Sequence, residues 1–186
     1  VRASSRLNVE RLHRNVVAGR TIRVRGTLSP LTGERHVSLQ VRVGKRWQTV
    51  DTDRTSADGR YSLRWRTNKV GSRKIRISFQ GSATQTAARR NLGYANVYRT
   101  AMASWYGPGL YGNGVACGGT LMPSTMGVAH KTLPCGTKVT ISYHGRTVTV
   151  PVIDRGPYIA GRDYDLTEAT RNRLGFGGVG TIWTNH

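Results

Sequence analysis

Carboxylates are scarce in this sequence: nine Asp and Glu stand against 29 Lys and Arg among 186 residues, giving a formal net charge of +20 and a pI near 11.4. Cysteine, phenylalanine and proline are also few, at two, two and six. The longest apolar runs, such as residues 150–153, fall far short of the roughly 20 residues a helix needs to cross a bilayer, so no transmembrane segment is expected. HExxH, GxSxG and clustered His and Cys are all missing. Their absence leaves no support for a zinc site or a serine elbow, and no metal or cofactor is expected. The chain begins with Val1, and no charged start followed by an apolar stretch follows it. It reads as processed or trimmed, and the missing leader says nothing about compartment.

What is present suffices for a core: 37% of residues are hydrophobic, with four Trp and eight Tyr, which argues against a disordered basic tail. The length fits one large or two small domains. Charge divides unevenly near Tyr98, at +16 before it and +4 after it, so two differently built domains are expected, at 1–98 and 99–186. A field of this sign attracts anionic partners such as phosphate-rich wall polymers, nucleic acid or an acidic membrane surface. No RNA- or DNA-binding motif accompanies it, which argues against specific nucleic-acid recognition. Because 24 of the 29 cations are Arg, the alternative is a compositional habit that serves only solubility.

In the first part, short apolar runs alternate with polar residues, the period of half-buried strands. Strands are predicted near 21–28, 37–43, 47–52, 59–66 and 74–79, separated by turn signals at Ser29-Pro30, Thr32-Gly33 and Asp58-Gly59. Such spacing suggests an antiparallel sandwich. Arg23, Arg25, Arg42, Arg64, Arg66, Lys74 and Arg76 occupy the alternate positions, so they are expected on outer sheet faces. Residues 1–18 are read as a further strand or a loose arm, and 82–100 as a connecting segment. The strings GTLSP, VGKRWQTV and TSADGRYSLRW resemble bacterial immunoglobulin-like modules over about residues 19–81. Fold analogy of this kind supplies no chemistry.

The second part opens with a strand candidate, MASWYG, and a glycine-rich loop. Glycine lets a loop's backbone approach a ligand, although surface connections use it equally. Two alternating runs, 138–143 and 147–153, are joined by His144-Gly145, a hairpin signal. Asp165 or Thr167 is placed to cap a short helix that Glu168 supports and Gly175 ends, and 179–184 reads as a closing strand. Several strands and one helix in fewer than 90 residues suggest a small closed barrel.

The candidates for chemistry are few. Asp154 ends an apolar strand before Arg155, Gly156 and Pro157. Partial burial there would raise its pKa toward that of a general acid, whereas pairing with Arg155 would oppose the rise. A turn cap is the competing role for Asp154, helix capping for Asp165, and surface or packing for His130. Trp105, Tyr106 and Tyr111 are candidates for stacking on a bound ring, with core packing as the alternative for each. Cys117 and Cys135, 18 positions apart, fit neither a zinc knuckle nor a CxxC pair. A disulfide would constrain their loop by about 3 kcal/mol and point outside the cytoplasm; two buried thiols are the alternative.

The strings ASWYGPG, AHKTLPCGTKV, VPVIDRGPY, GRDYDLT and RLG, in order over some 80 residues, resemble the rare lipoprotein A family. That resemblance implies a six-stranded double-psi β-barrel in a secreted or envelope protein, some of whose members are peptidoglycan lytic transglycosylases. It implies Asp154 as a single acid/base on a glycan strand, with His130 and Tyr158 positioning sugar hydroxyls, Asp165 as a supporting carboxylate and Arg155 in the same site. The basic first domain would then hold anionic wall polymers. One departure stands out: Gly119 occupies the place of a family Glu, and no Asp follows nearby. The same barrel in expansin-like proteins grips polysaccharide without clear hydrolysis, so a non-catalytic binding module is the alternative. A self-associating surface or filament protein is a further one.

Overall fold

The computed structural model describes residues 1–186, and the chain divides into two compact units, Val1–Val97 and Tyr98–His186. The first is built from β1 (Arg6–His13), β2 (Asn15–Val17), β3 (Thr21–Ser29), β4 (His36–Val43), β5 (Arg46–Arg54), β6 (Arg60–Arg66), β7 (Gly71–Phe79) and the first half of β8 (Ala88–Tyr106). One sheet has the order β1-β3-β6; the other runs β8-β7-β4-β5. Both contribute to one core, with Val24 and Leu63 from the first sheet and Leu39, Ile75 and Ile77 from the second. The unit is therefore a β-sandwich. Apolar alternation explains the burial: Ile22, Val24 and Leu28 are sealed while Arg23 and Arg25 are exposed.

Of two segments at the ends of this unit, the first takes one of its two expected forms and the second differs from expectation. Residues 6–13 form a full strand paired with β3. The segment 82–100, expected as a connection, is strand from residue 88 onward. Its alternation is hidden by a bulge. The register shifts between Ile75 and Arg76 opposite Asn91 and Gly93, and Gly93 adopts a φ of 79°, a conformation that suits glycine. Leu92 and Ala95, three apart, consequently both face the core. Arg35 is the exception to outward-facing cations. It is only 5% exposed, and its guanidinium donates to the carbonyls of Leu28, Pro30 and Gly33 and to Gln85, tying down the loop that precedes β4.

In the second unit, the later half of β8 joins β9 (Val128–His130), β10 (Lys138–Tyr143), β11 (Arg146–Asp154), β12 (Tyr164–Thr167) and β13 (Gly180–Thr184). Following the pairings returns to the start: β12-β9-β11-β10-β13-β8, with β8 paired back to β12. Six strands thus close a ring with no free edge. The β9–β11 and β8–β12 pairs are parallel. Val128, Val139, Ile141, Val150, Val152, Leu166 and Ile182 fill the interior. The hairpin between β10 and β11 turns at His144 and Gly145, both at positive φ, as the sequence anticipates. Helix α1 (Glu168–Leu174) is capped by Thr167, whose hydroxyl accepts from Thr170 N, and ends at left-handed Gly175. Capping therefore falls to Thr167, and Asp165 lies inside β12. No helix is long and apolar enough to cross a membrane.

Candidate active site

Register assembles an acidic face on the barrel. Asp154 of β11 stands opposite Ala129 of β9; Ala129 stands opposite Asp165 of β12; Asp165 stands opposite Ser104 of β8. Residues in register project to the same side of a sheet, and a register shift in β11 between Val152 and Asp154 is what brings Asp154 level with Ala129. Two carboxylates thus flank the small side chain of Ala129, although 11 positions separate them in sequence. Tyr106, two residues beyond Ser104, joins the same face. Its hydroxyl is buried without a hydrogen bond of good geometry, and burial, followed by the charges of Asp154 and Asp165, pushes its pKa upward.

The two carboxyl groups are held differently. One oxygen of Asp154, Oδ1, accepts from Ala116 N at 2.9 Å and from Arg155 N at 2.8 Å, which fixes the side chain at the strand end. The Tyr106 hydroxyl also interacts with the Asp154 carboxylate. Asp165 Oδ1 accepts from the Ser104 hydroxyl at 2.7 Å, and Arg162 Nη1 donates to that same hydroxyl at 3.2 Å. Burial raises the Asp165 pKa, opposed by Ser104 and Arg162 and assisted by Asp154. Ser104 and Arg162 are not among the sequence candidates; only the register of β8 against β12 reveals them, although both lie inside the strings ASWYGPG and GRDYDLT.

His130 is one residue from Ala129 and projects to the other side. It stands opposite Tyr164, whose ring centroid is 4.8 Å from its own. His130 Nδ1 accepts from Thr132 N and Leu133 N. Burial lowers its pKa, and the charge of Arg99 adds to this, so the neutral ring is favoured. It lies on a three-residue strand, too short for periodicity to disclose. Arg155 does not pair with the Asp154 carboxylate. Its guanidinium donates to the carbonyls of His130 and Leu133 and approaches Cys135 Sγ at 3.2 Å, bracing the turn that carries Asp154.

The aromatic candidates separate. Trp105 packs against the barrel core, with the Arg171 guanidinium 4.2 Å over its ring. Tyr111 donates to Glu168; a β-carbon on Gly107 would come within 2.8 Å of that tyrosine's hydroxyl, which explains glycine there. Tyr158 is 82% exposed after the Gly156-Pro157 bond. The glycine loop itself is stitched to β11, where Cys117 N donates to the Ile153 carbonyl. Cys117 and Cys135 form a disulfide with Cα atoms 5.5 Å apart, so neither sulfur is a free nucleophile. Gly118 and Gly119 both have φ near 90°, and a β-carbon on either would meet open space. No cluster of three or more metal-ligating side chains is present.

Comparison with known proteins gives this geometry a family. The lytic transglycolase family profile matches residues 98–184. A probable endolytic peptidoglycan transglycosylase RlpA of Synechocystis is 39% identical over 85 residues, 44% of this chain and 26% of that protein. Its counterpart in Campylobacter jejuni is 42% identical over 82 residues, covering 43% and 30%. Among solved structures, Streptomyces papain inhibitor aligns with 30% identity and a TM-score of 0.38, over 47% of this chain and 92% of that one. The matched profile and the closed six-stranded ring define a double-psi β-barrel. Residues 98–184 are thus similar to the RlpA-like double-psi β-barrel family. It spans about a quarter to a third of the length of these curated relatives.

Proposed function

We propose that this protein acts on the glycan strands of peptidoglycan as a lytic transglycosylase, with Asp154 as the acid/base and Asp165 as its supporting carboxylate. The observation that carries the reading is the register that sets both on one barrel face around Ala129. Ordinary hydrolysis uses two carboxyl groups, one to protonate the leaving oxygen and one to activate water or attack. Transglycosylation needs only one. The protonated Asp154 carboxyl donates its proton to the glycosidic oxygen as the C1–O bond breaks. It then takes the proton of the sugar's own C6 hydroxyl, whose oxygen bonds to C1 and closes the anhydro ring, and the carboxyl returns to its starting form. Asp165, whose pKa burial raises, is the second carboxyl group of that face. Tyr106 supplies a hydroxyl between them. His130 is a positioning residue: its carbonyl and ring hold the Arg155 turn and the 131–133 loop. The activity named for the relatives and the disulfide support a place at the cell envelope or outside the cell.

A second reading has its own support. Gly119, where the family resemblance implies an acid, leaves the loop beside Asp154 without a further carboxylate, as expected of a barrel that grips glycan without cutting it. Digestion of purified, peptide-stripped peptidoglycan, followed by mass spectrometry, separates the two. The wild-type chain releases anhydromuramic ends and Asp154→Asn does not. Sedimentation with insoluble glycan without soluble fragments would replace catalysis with binding.

The first unit is proposed to be an immunoglobulin-like sandwich that holds the protein to anionic wall polymers. Its two sheets, three and four strands around one core, support the first part, and its excess of cations the second.

A further inference from the structure

The outer face of the β8-β7-β4-β5 sheet is organised rather than merely basic. Trp47 stands opposite Arg42, and Lys74 stands opposite Tyr94. Arg42 and Lys74 lie one step beyond the Val41–Ile75 pair that joins β4 to β7. The row therefore reads aromatic, cation, cation, aromatic across four strands, about 14 Å from end to end at the usual spacing of neighbouring strands. Arg76, in the adjacent row, lies 4.2 Å over the Trp47 ring, Arg42 lies 5.5 Å over it, and Lys74 is 5.8 Å from the centroid of Tyr94. A depression of about 670 Å³ opens along this face.

None of these cations has a carboxylate partner. The ion pairs of the first unit are Arg54 with Glu34 and Arg60 with Asp58. Asp51 and Asp53 accept from backbone N–H groups of β6. Like charges consequently crowd one another: Arg89 and Arg42 both oppose the charge on Arg76. A face that gathers cations and leaves them uncompensated is arranged for an anion from outside.

The stacking decides which anion. Arg76, over Trp47, donates Nε to Gln40 Oε1 at 2.7 Å, and Arg42 donates Nε to the Gly44 carbonyl; both forks are held in place with their terminal nitrogens left to meet tetrahedral phosphate oxygens. The same stacking covers the indole face on which a nucleobase would otherwise rest. We infer that this face is a binding site for a phosphodiester-linked polyol or sugar polymer of the cell wall, with Arg42, Lys74 and Arg76 contacting successive phosphates. The choice of a wall polymer rests on the reading of the barrel as a wall-directed domain; the phosphate chemistry rests on this face alone.

The test is binding of the full chain to purified poly(glycerol phosphate) teichoic acid by titration calorimetry at several salt concentrations. Single-stranded DNA and polyglutamate serve as competitors. Arg42→Gln with Arg76→Gln is expected to weaken binding about tenfold and to lower the log–log salt slope by about 1.5, because two phosphates are no longer neutralised by the protein. Arg23→Gln with Arg25→Gln, an exposed pair on the other sheet, controls for net charge and is expected to weaken it about twofold. Lys74→Gln repeats the test without disturbing the Trp47 stack. Equal losses of affinity from the two Arg pairs would overturn the site, as would single-stranded DNA or polyglutamate binding as tightly as the phosphate polymer. Release of anhydro products from polymer-free glycan, measured on the same variants, is expected to be unchanged. Failure at the sandwich and failure at the barrel are therefore read separately.

Discussion

Strand β7 of the sandwich and strand β12 of the barrel both alternate buried and polar residues, yet their polar positions behave in opposite ways. Lys74 and Arg76 add to a broad face of like charge, open to water and ions that screen it. Asp165 is drawn into a partly buried cluster in which its ionised form is disfavoured and Oδ1 has a defined neighbour. Charge can be spread where solvent tolerates it; chemistry requires a few groups held close, at a cost in burial. On the proposed function, the sandwich holds a polymer at many points and the barrel acts on one bond.

The largest expected effect divides the two units most sharply. Asp154→Asn should lower anhydro-product formation by about 10²- to 10⁴-fold while binding to anionic polymer stays unchanged; equal activity in the variant would remove Asp154 from the chemistry. Replacing Cys117 and Cys135 together by Ser releases the closed loop and should destabilise the barrel by about 3 kcal/mol. Calorimetry should then show the barrel melting earlier, with the transition of the sandwich, which has no cysteine, unmoved.

Arg35→Leu is the counterpart in the sandwich. It removes the donor to the Leu28 and Gly33 carbonyls and to Gln85 Oε1, while Pro30 keeps its bond from Gln85 Nε2, and should cost about 2 kcal/mol, read from denaturant midpoints, with glycan action intact. The smallest effect is at Asp165. Its folded pKa lies above the unfolded value, so the native state binds the proton more tightly, and stability falls as pH rises from about 4 through the folded pKa. Asp165→Asn should therefore match the wild type in melting temperature near pH 3 and exceed it modestly at pH 7. A gain that is independent of pH would contradict the burial account.

Legibility in the sequence follows the same division. Alternation around Val24, Trp65 and Ile75 is enough to place strands and to predict outward cations, because neighbouring antiparallel strands express a face locally. It fails at Leu92 and Ala95, where the Gly93 bulge shifts the phase, and at Arg35, whose burial depends on carbonyls contributed by a loop. In the barrel, ordered motif strings identify the family, and Asp154 and Asp165 stand out as candidates. Their grouping with Ser104, Arg162 and Tyr106 is not readable. Those residues meet because β9, three residues long, pairs with both β11 and β12, and β12 pairs in turn with β8; no local pattern records those pairings. The placement of His130 on the opposite side from Asp154 has the same origin: one step along β9 reverses the direction of the side chain.

Central to the proposed chemistry is that glycan lies across the Asp154–Ala129–Asp165 face. Backbone amide NMR of the Asp154→Asn chain, titrated with a soluble peptide-free glycan oligomer, addresses it residue by residue. Shifts are predicted to concentrate at Ser104, Tyr106, Ala116, Ala129 and Asp165. Shifts confined to the His130 and Tyr164 side, or none in the barrel at saturating oligomer, would contradict it.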